Sequence, residues 1–113
     1  MWQLKTVKDI NGNETQIDTV FYCFHRETVF SFAVLENSKS ATYPFYGYVD
    51  MSSDNKVRVV INNISTEPEH IELFLSFSAW SSADIIFDIK NYNNTNLVLF
   101  DSVNGKTFIL KKF

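Results

Sequence analysis

Cysteine is nearly absent from this chain of 113 residues: Cys23 stands alone, so no internal disulfide can form. Its neighbours Tyr22 and Phe24 favour a buried, inert thiol. The competing reading, an activated thiolate, needs an electropositive and partly open setting, which His25 on the same strand face and Arg26 would have to supply. Glycine is scarce too. Gly12, Gly47 and Gly105 are isolated, which excludes a Gly-x-Ser-x-Gly elbow around Ser76, Ser78, Ser81 or Ser82 and any phosphate-cradling loop. No apolar run approaches the roughly 20 residues that a helix needs to span a bilayer. No basic-then-apolar leader precedes the first strand, leaving two expectations: a cytoplasmic protein, or a domain whose export signal has been removed. The ten basic residues are scattered singly apart from Lys111 and Lys112, and the net charge is −3, so no stripe follows a phosphate backbone and nucleic acid is not an expected partner. His25 and His70 lie far apart, neither with a second His, Cys or carboxylate at ligand spacing, so no metal or cofactor is expected.

What the chain has is aromatic residues: 11 Phe, 5 Tyr and 2 Trp. Such side chains pack well on a pleated surface and point to β structure. Trp2 and Leu4 alternate with Gln3 and Lys5, predicting strand A over residues 2 to 10, and Asn11-Gly12-Asn13 then supplies turn residues. Strands B (20 to 24) and C (28 to 35) flank the polar His25-Arg26-Glu27. Strand D (43 to 49) contains Pro44 and Gly47, which suit an edge, bend, bulge or close approach. Strands E (56 to 62), F (84 to 90), G (97 to 100) and H (108 to 113) alternate more regularly, with a turn at 52 to 55 and a hairpin signal at Asn104-Gly105. Between 63 and 83 the pattern changes. Thr66, Pro68 and Glu69 read as a helix cap, first turn and capping box, predicting a helix or irregular plug across one end. Ile71, Leu73, Leu75 and Phe77 alternate as a strand, and that alternative stays open. Eight strands at hairpin spacing imply an antiparallel up-and-down order in a single domain, 1–113. A strand at each end of the chain suggests that the first and last strands meet, because closure removes both sheet edges.

Trp2-Gln3-Leu4 opening strand A, Phe87-Asp88-Ile89 followed by Leu97-Val98-Leu99, and the terminal run Phe108 to Phe113 together resemble the small lipocalin-like, calycin-type domains of exported lipoproteins in Gram-negative gut bacteria. In that family the first-strand Trp follows a Gly two positions earlier, which here would fall before Met1, and packs at the closed end of the barrel. The resemblance implies an all-β, eight-stranded lipocalin-like barrel with its helix or irregular segment near residues 64–82. It also implies a lipid-anchored precursor, a periplasmic or cell-surface location, and binding of a small apolar molecule or a protein partner.

The more apolar strand faces are predicted to point inward: Trp2, Leu4, Phe30, Phe32, Val34, Tyr43, Phe45, Val57, Val59, Ile61, Ile85, Phe87, Ile89, Leu97, Leu99, Phe108 and Leu110. An eight-stranded barrel is just wide enough to be filled by its own side chains or to hold one small ligand. Both readings stay open. If a ligand is held, the expected contacts are Phe30, Phe32, Tyr43, Phe45, Phe87 and Leu99. Asp84 and Asp88 share a polar strand face and read as a solvated surface rather than an acid–base pair. No enzyme is therefore expected. Val98, Phe100 and Ile109 make the outer faces of G and H apolar as well, and Tyr46 and Tyr48 line the outer face of D. Either the 64–82 segment covers the G and H face or a second chain does; the latter would make the protein an interaction module or homodimer.

Overall fold

A computed structural model places the two ends of the chain side by side. It describes the chain apart from residues 18, 26–28, 37–39, 42–44, 52, 53 and 63–67, together with the side chains of 25, 35, 36, 40, 41, 68, 70 and 77. The described strands are β1 (Trp2–Lys8), β2 (Glu14–Gln16), β3 (Val20–His25), β4 (Val29–Glu36), β5 (Ser40–Ala41), β6 (Phe45–Asp50), β7 (Lys56–Ile61), β8 (Asp84–Tyr92), β9 (Asn96–Asp101) and β10 (Lys106–Lys112), and the helix is α1 (Pro68–Ser78). Strands β1, β3, β4, β6, β7, β8, β9 and β10 pair antiparallel with their neighbours. The sheet then closes on itself, with Trp2 opposite Lys112 and Leu4 opposite Leu110. The result is the predicted eight-stranded up-and-down barrel, with β2 and β5 as short additions on β1 and β4.

The inward rows follow the period-two pattern. Phe30, Phe32, Val34, Val57, Val59, Ile61, Ile85, Phe87, Leu97, Leu99, Phe108 and Leu110 are all buried, while Phe45 and Ile89 are partly buried and pack against them. Tyr43 lies outside the described residues. Two irregularities change the parity of a row. One between Leu4 and Thr6 puts Val7 opposite Phe108 and into the core. A second between Ile89 and Asn91 puts Tyr92, rather than Asn91, opposite the inward Leu97. A bulge of this kind inserts one residue and swaps the faces beyond it.

Residues 67 to 77 carry two competing periods, and the helical one prevails. Ile71, Phe74, Leu75 and Ser78 recur at three- and four-residue spacing and are buried or half-buried, whereas Leu73, which a strand would have turned inward, is 41% exposed. The helix begins at Pro68, whose missing N–H costs nothing in a first turn. The proposed Thr66 cap lies outside the described residues. The helix ends at Ser78, and Ala79 just beyond it is in the left-handed region at φ 60°, a position usually taken by glycine. That turn sends Trp80 into the barrel. Ser78 Oγ accepts a hydrogen bond from the Trp80 amide at 3.1 Å. Asp101, fully buried, accepts from the amides of Ser81 at 3.0 Å and Val103 at 3.1 Å, tying the helix exit to the β9–β10 turn.

Trp80 is the centre of the upper core. Its ring lies 5.2 Å from Phe74 and from Phe87, 5.8 Å from Tyr22 and Phe32, and 5.9 Å from Phe30, centroid to centroid. Its indole N–H donates to the Tyr22 hydroxyl at 2.8 Å. Burial pushes the Tyr22 phenol upward, with the Trp80 hydrogen bond a smaller opposing effect, so the hydroxyl stays neutral. The described part of the 64–82 segment thus turns Phe74 and Trp80 into the barrel end instead of covering the outer face of β9 and β10. On that face Val98, Phe100 and Ile109 are half-buried, with the Lys90 ammonium 5.3 Å from the Phe100 ring.

Candidate functional site

Because the strands alternate in direction, the start of β1 shares one end of the barrel with the ends of β3, β6, β8 and β10 and the starts of β7 and β9. The helix and Trp80 occupy the other end. At the β1 end the inward rows finish around a cavity of about 310 Å³. Phe24 ends the row of Val20 and Tyr22, Met51 the row of Phe45, Gly47 and Val49, and Lys112 the row of Phe108 and Leu110. Trp2, Val57, Ile89, Leu97, Leu99 and the bulge-shifted Tyr92 complete the wall. Met51 and Tyr92 are exposed and form the rim. The Trp2 ring is held between neighbours, with Tyr92 6.0 Å away at a 60° tilt and the Lys112 ammonium 5.0 Å from its centroid.

The structure divides the residues expected to meet a ligand. Phe30, Phe32 and Phe87 come together around Trp80. Phe45 meets Phe32 at 5.9 Å and Phe74 at 4.9 Å, both edge to face. Leu99 lines the cavity, and Tyr43 lies outside the described residues. The lining residues that pattern reading did not single out are Phe24, Met51, Tyr92 and Lys112. Parity could have found Met51, two residues after Val49, and Lys112, two after Leu110. Tyr92 depends on a bulge that leaves no local signal. Trp2, which the resemblance places at the closed end, here lines the cavity, and the end plugged by Trp80 is the opposite one.

Arg58 Nε and Nη2 donate to Asp84 Oδ1 at 2.9 Å and Oδ2 at 2.6 Å, and Lys56 pairs with Asp88 at 3.2 Å. The Arg58 guanidinium holds the Asp84 carboxyl below the usual carboxylate range. These exposed cross-strand pairs form the outer surface expected of Asp84 and Asp88. Cys23 is half-buried rather than buried, opposite Ser31 on β4. Among the described residues no group of three potential metal ligands occurs, and no helix is long and apolar enough to cross a membrane. Gly47 marks a close approach: an added Cβ would stand 1.7 Å from the Val60 carbonyl oxygen of β7. Tyr46, Tyr48 and Val29, the last directly opposite Tyr48, are exposed on the outer face of β4 and β6.

No family model and no curated protein matches the chain. Two solved structures share its fold. An uncharacterized protein from Bacteroides eggerthii DSM 20697 is 22% identical, with a TM-score of 0.81 over 99% of this chain and 96% of that one. A lipocalin-like protein from Bacteroides uniformis ATCC 8492 is also 22% identical, with a TM-score of 0.77 over 99% of this chain and 94% of that one. The closed barrel described above is therefore a lipocalin-like fold.

Proposed function

We propose that the protein is a non-catalytic binding domain that holds a small hydrophobic molecule in the cavity at the β1 end of the barrel. One observation carries this reading: the inward rows of seven strands end on an apolar, outward-opening space of about 310 Å³, at the lower end of the usual range for small-molecule sites. Its volume equals roughly ten waters at ~30 Å³ each. The experiment is a thermal-shift screen with fatty alcohols, sterols and bile-acid-like compounds, backed by native mass spectrometry. A ligand at 100 times its Kd stabilises the folded state by about 2.7 kcal/mol, so a true ligand raises Tm by roughly 10 °C in a domain of this size. Leu97→Trp, which places a large ring into the space, abolishes the rise. A screen in which nothing shifts Tm, or a shift that survives Leu97→Trp, refutes the proposal.

The exported location implied by the family resemblance belongs to the same proposal. Cell fractionation of the source organism, with the native protein followed by antibody, is expected to recover it in the envelope fraction. Recovery from the cytoplasm rules that location out.

A further inference from the structure

The chemistry of the ligand can be narrowed by one residue of the cavity wall. Lys112 continues the inward row of Phe108 and Leu110 and stands directly opposite Trp2 across the closing seam. An ammonium on an inward row at the mouth of an apolar space is an unusual placement. The long stem can lie along apolar surface while the charge reaches the rim, and the 5.0 Å approach to the Trp2 ring fixes where that charge sits. Among the described residues, the cavity wall contains no Asp or Glu. Among the described residues, the ion pairs of this chain fall on Lys56 and Arg58, and none on Lys112. Lys112 is thus a cation at the edge of an otherwise apolar site, with donors available to whatever enters.

We infer that the cavity takes an amphipathic anion: an apolar body against Leu97, Leu99 and Val57, and one acidic head group at the rim beside Lys112. This rests on the cavity reading above and names its ligand class. The net charge of −3 opposes any anion at long range, but surface charges farther than a Debye length of ~8 Å are largely screened. A head group in contact with Lys112 is not. Contact therefore outweighs the overall field, and the acceptor gains a charge-assisted hydrogen bond, stronger than a neutral one.

The test compares octanoate with octanol, equal in chain and different in head group, by isothermal titration calorimetry on the intact protein and on Lys112→Gln. Octanoate is expected to bind at least about fivefold tighter than octanol, a modest ratio because the ammonium is exposed and screened. In Lys112→Gln, shown to be folded by circular dichroism, the preference for octanoate over octanol disappears. Raising salt from about 50 mM to about 500 mM erodes the preference for octanoate alone. Equal binding of the two compounds, or a preference that survives in Lys112→Gln, overturns the head-group inference and leaves the cavity reading standing. If neither compound binds, the head-group inference falls, and the wider thermal-shift screen decides the cavity reading.

Discussion

Trp80→Ala is expected to lower the unfolding free energy by about 5 kcal/mol, a large part of the 5–15 kcal/mol that typically separates a native domain from its unfolded chain. Removing a buried Trp costs about 3–5 kcal/mol through lost transfer energy and the cavity left behind. Here the five rings of Tyr22, Phe30, Phe32, Phe74 and Phe87 all face that cavity. The buried Tyr22 hydroxyl also loses its donor, and a stranded polar group adds about 1–3 kcal/mol. The two costs overlap as the site relaxes, so they do not simply sum. Urea unfolding followed by circular dichroism measures the effect. Trp80→Phe separates the parts, since it keeps most of the ring packing and removes only the hydrogen bond. A Trp80→Ala protein within about 1 kcal/mol of the parent would mean that the plug does not pack in the barrel, because buried Trp truncations cost several times that.

The second large effect is expected at Gly47. A methyl group there would lie 1.7 Å from the Val60 oxygen, 2.7 Å from the Val60 carbonyl carbon and 2.9 Å from the Ile61 Cα. All three atoms are backbone, so no side chain can swing away. Strands β6 and β7 must part locally, at the rungs Gly47–Ile61 and Tyr48–Val60. Overpacking a core usually costs about 1–3 kcal/mol; an overlap with backbone belongs at or above the top of that range, so Gly47→Ala should cost at least about 3 kcal/mol. Gly12→Ala is the matched control. Its Cβ would meet nothing within 4 Å, and only its positive φ of 86° is at issue, for which L-residues forfeit about 1–2 kcal/mol. Equal destabilisation at the two glycines in denaturant titrations would show that strand separation is not the cause.

The barrel is legible in the sequence because antiparallel strands with one wet face write their burial as alternation. Val57, Val59 and Ile61 between Lys56, Arg58 and Val60, or Phe108 and Leu110 between Thr107, Ile109 and Lys111, need no tertiary information to be placed. The 67–77 segment is different, since Ile71 to Phe77 satisfies both periods and only packing decides between them. Trp80 is harder still. It belongs to no periodic run; its burial depends on the left-handed turn at Ala79 and on Asp101, far along the chain, gripping the Ser81 amide. The site follows the same division. Leu99 is on a readable row, and Lys112 sits on one too, although a lysine at a strand end ordinarily reads as solubilising charge. Tyr92 reaches the wall through a bulge that its own neighbours do not announce. The large aromatics Phe30, Phe32 and Phe87 draw attention to the half of the interior where Trp80, unseen in the pattern, packs between them.

Strand β1 has a further consequence, for the order of events in folding. Its pairing with β10 joins residues near opposite ends of the chain, and on its other edge β3 holds it by only two rungs, Trp2–Tyr22 and Gln3–Phe21, the rest of that edge going to β2. Chain entropy makes such a long-range junction slow to form, so the hairpins from β3 to β10 can assemble before β1 docks. Trp2 and Lys112 face each other only after that docking. A molecule that fits between them binds the finished barrel and none of its precursors, and by mass action it draws the final closure forward.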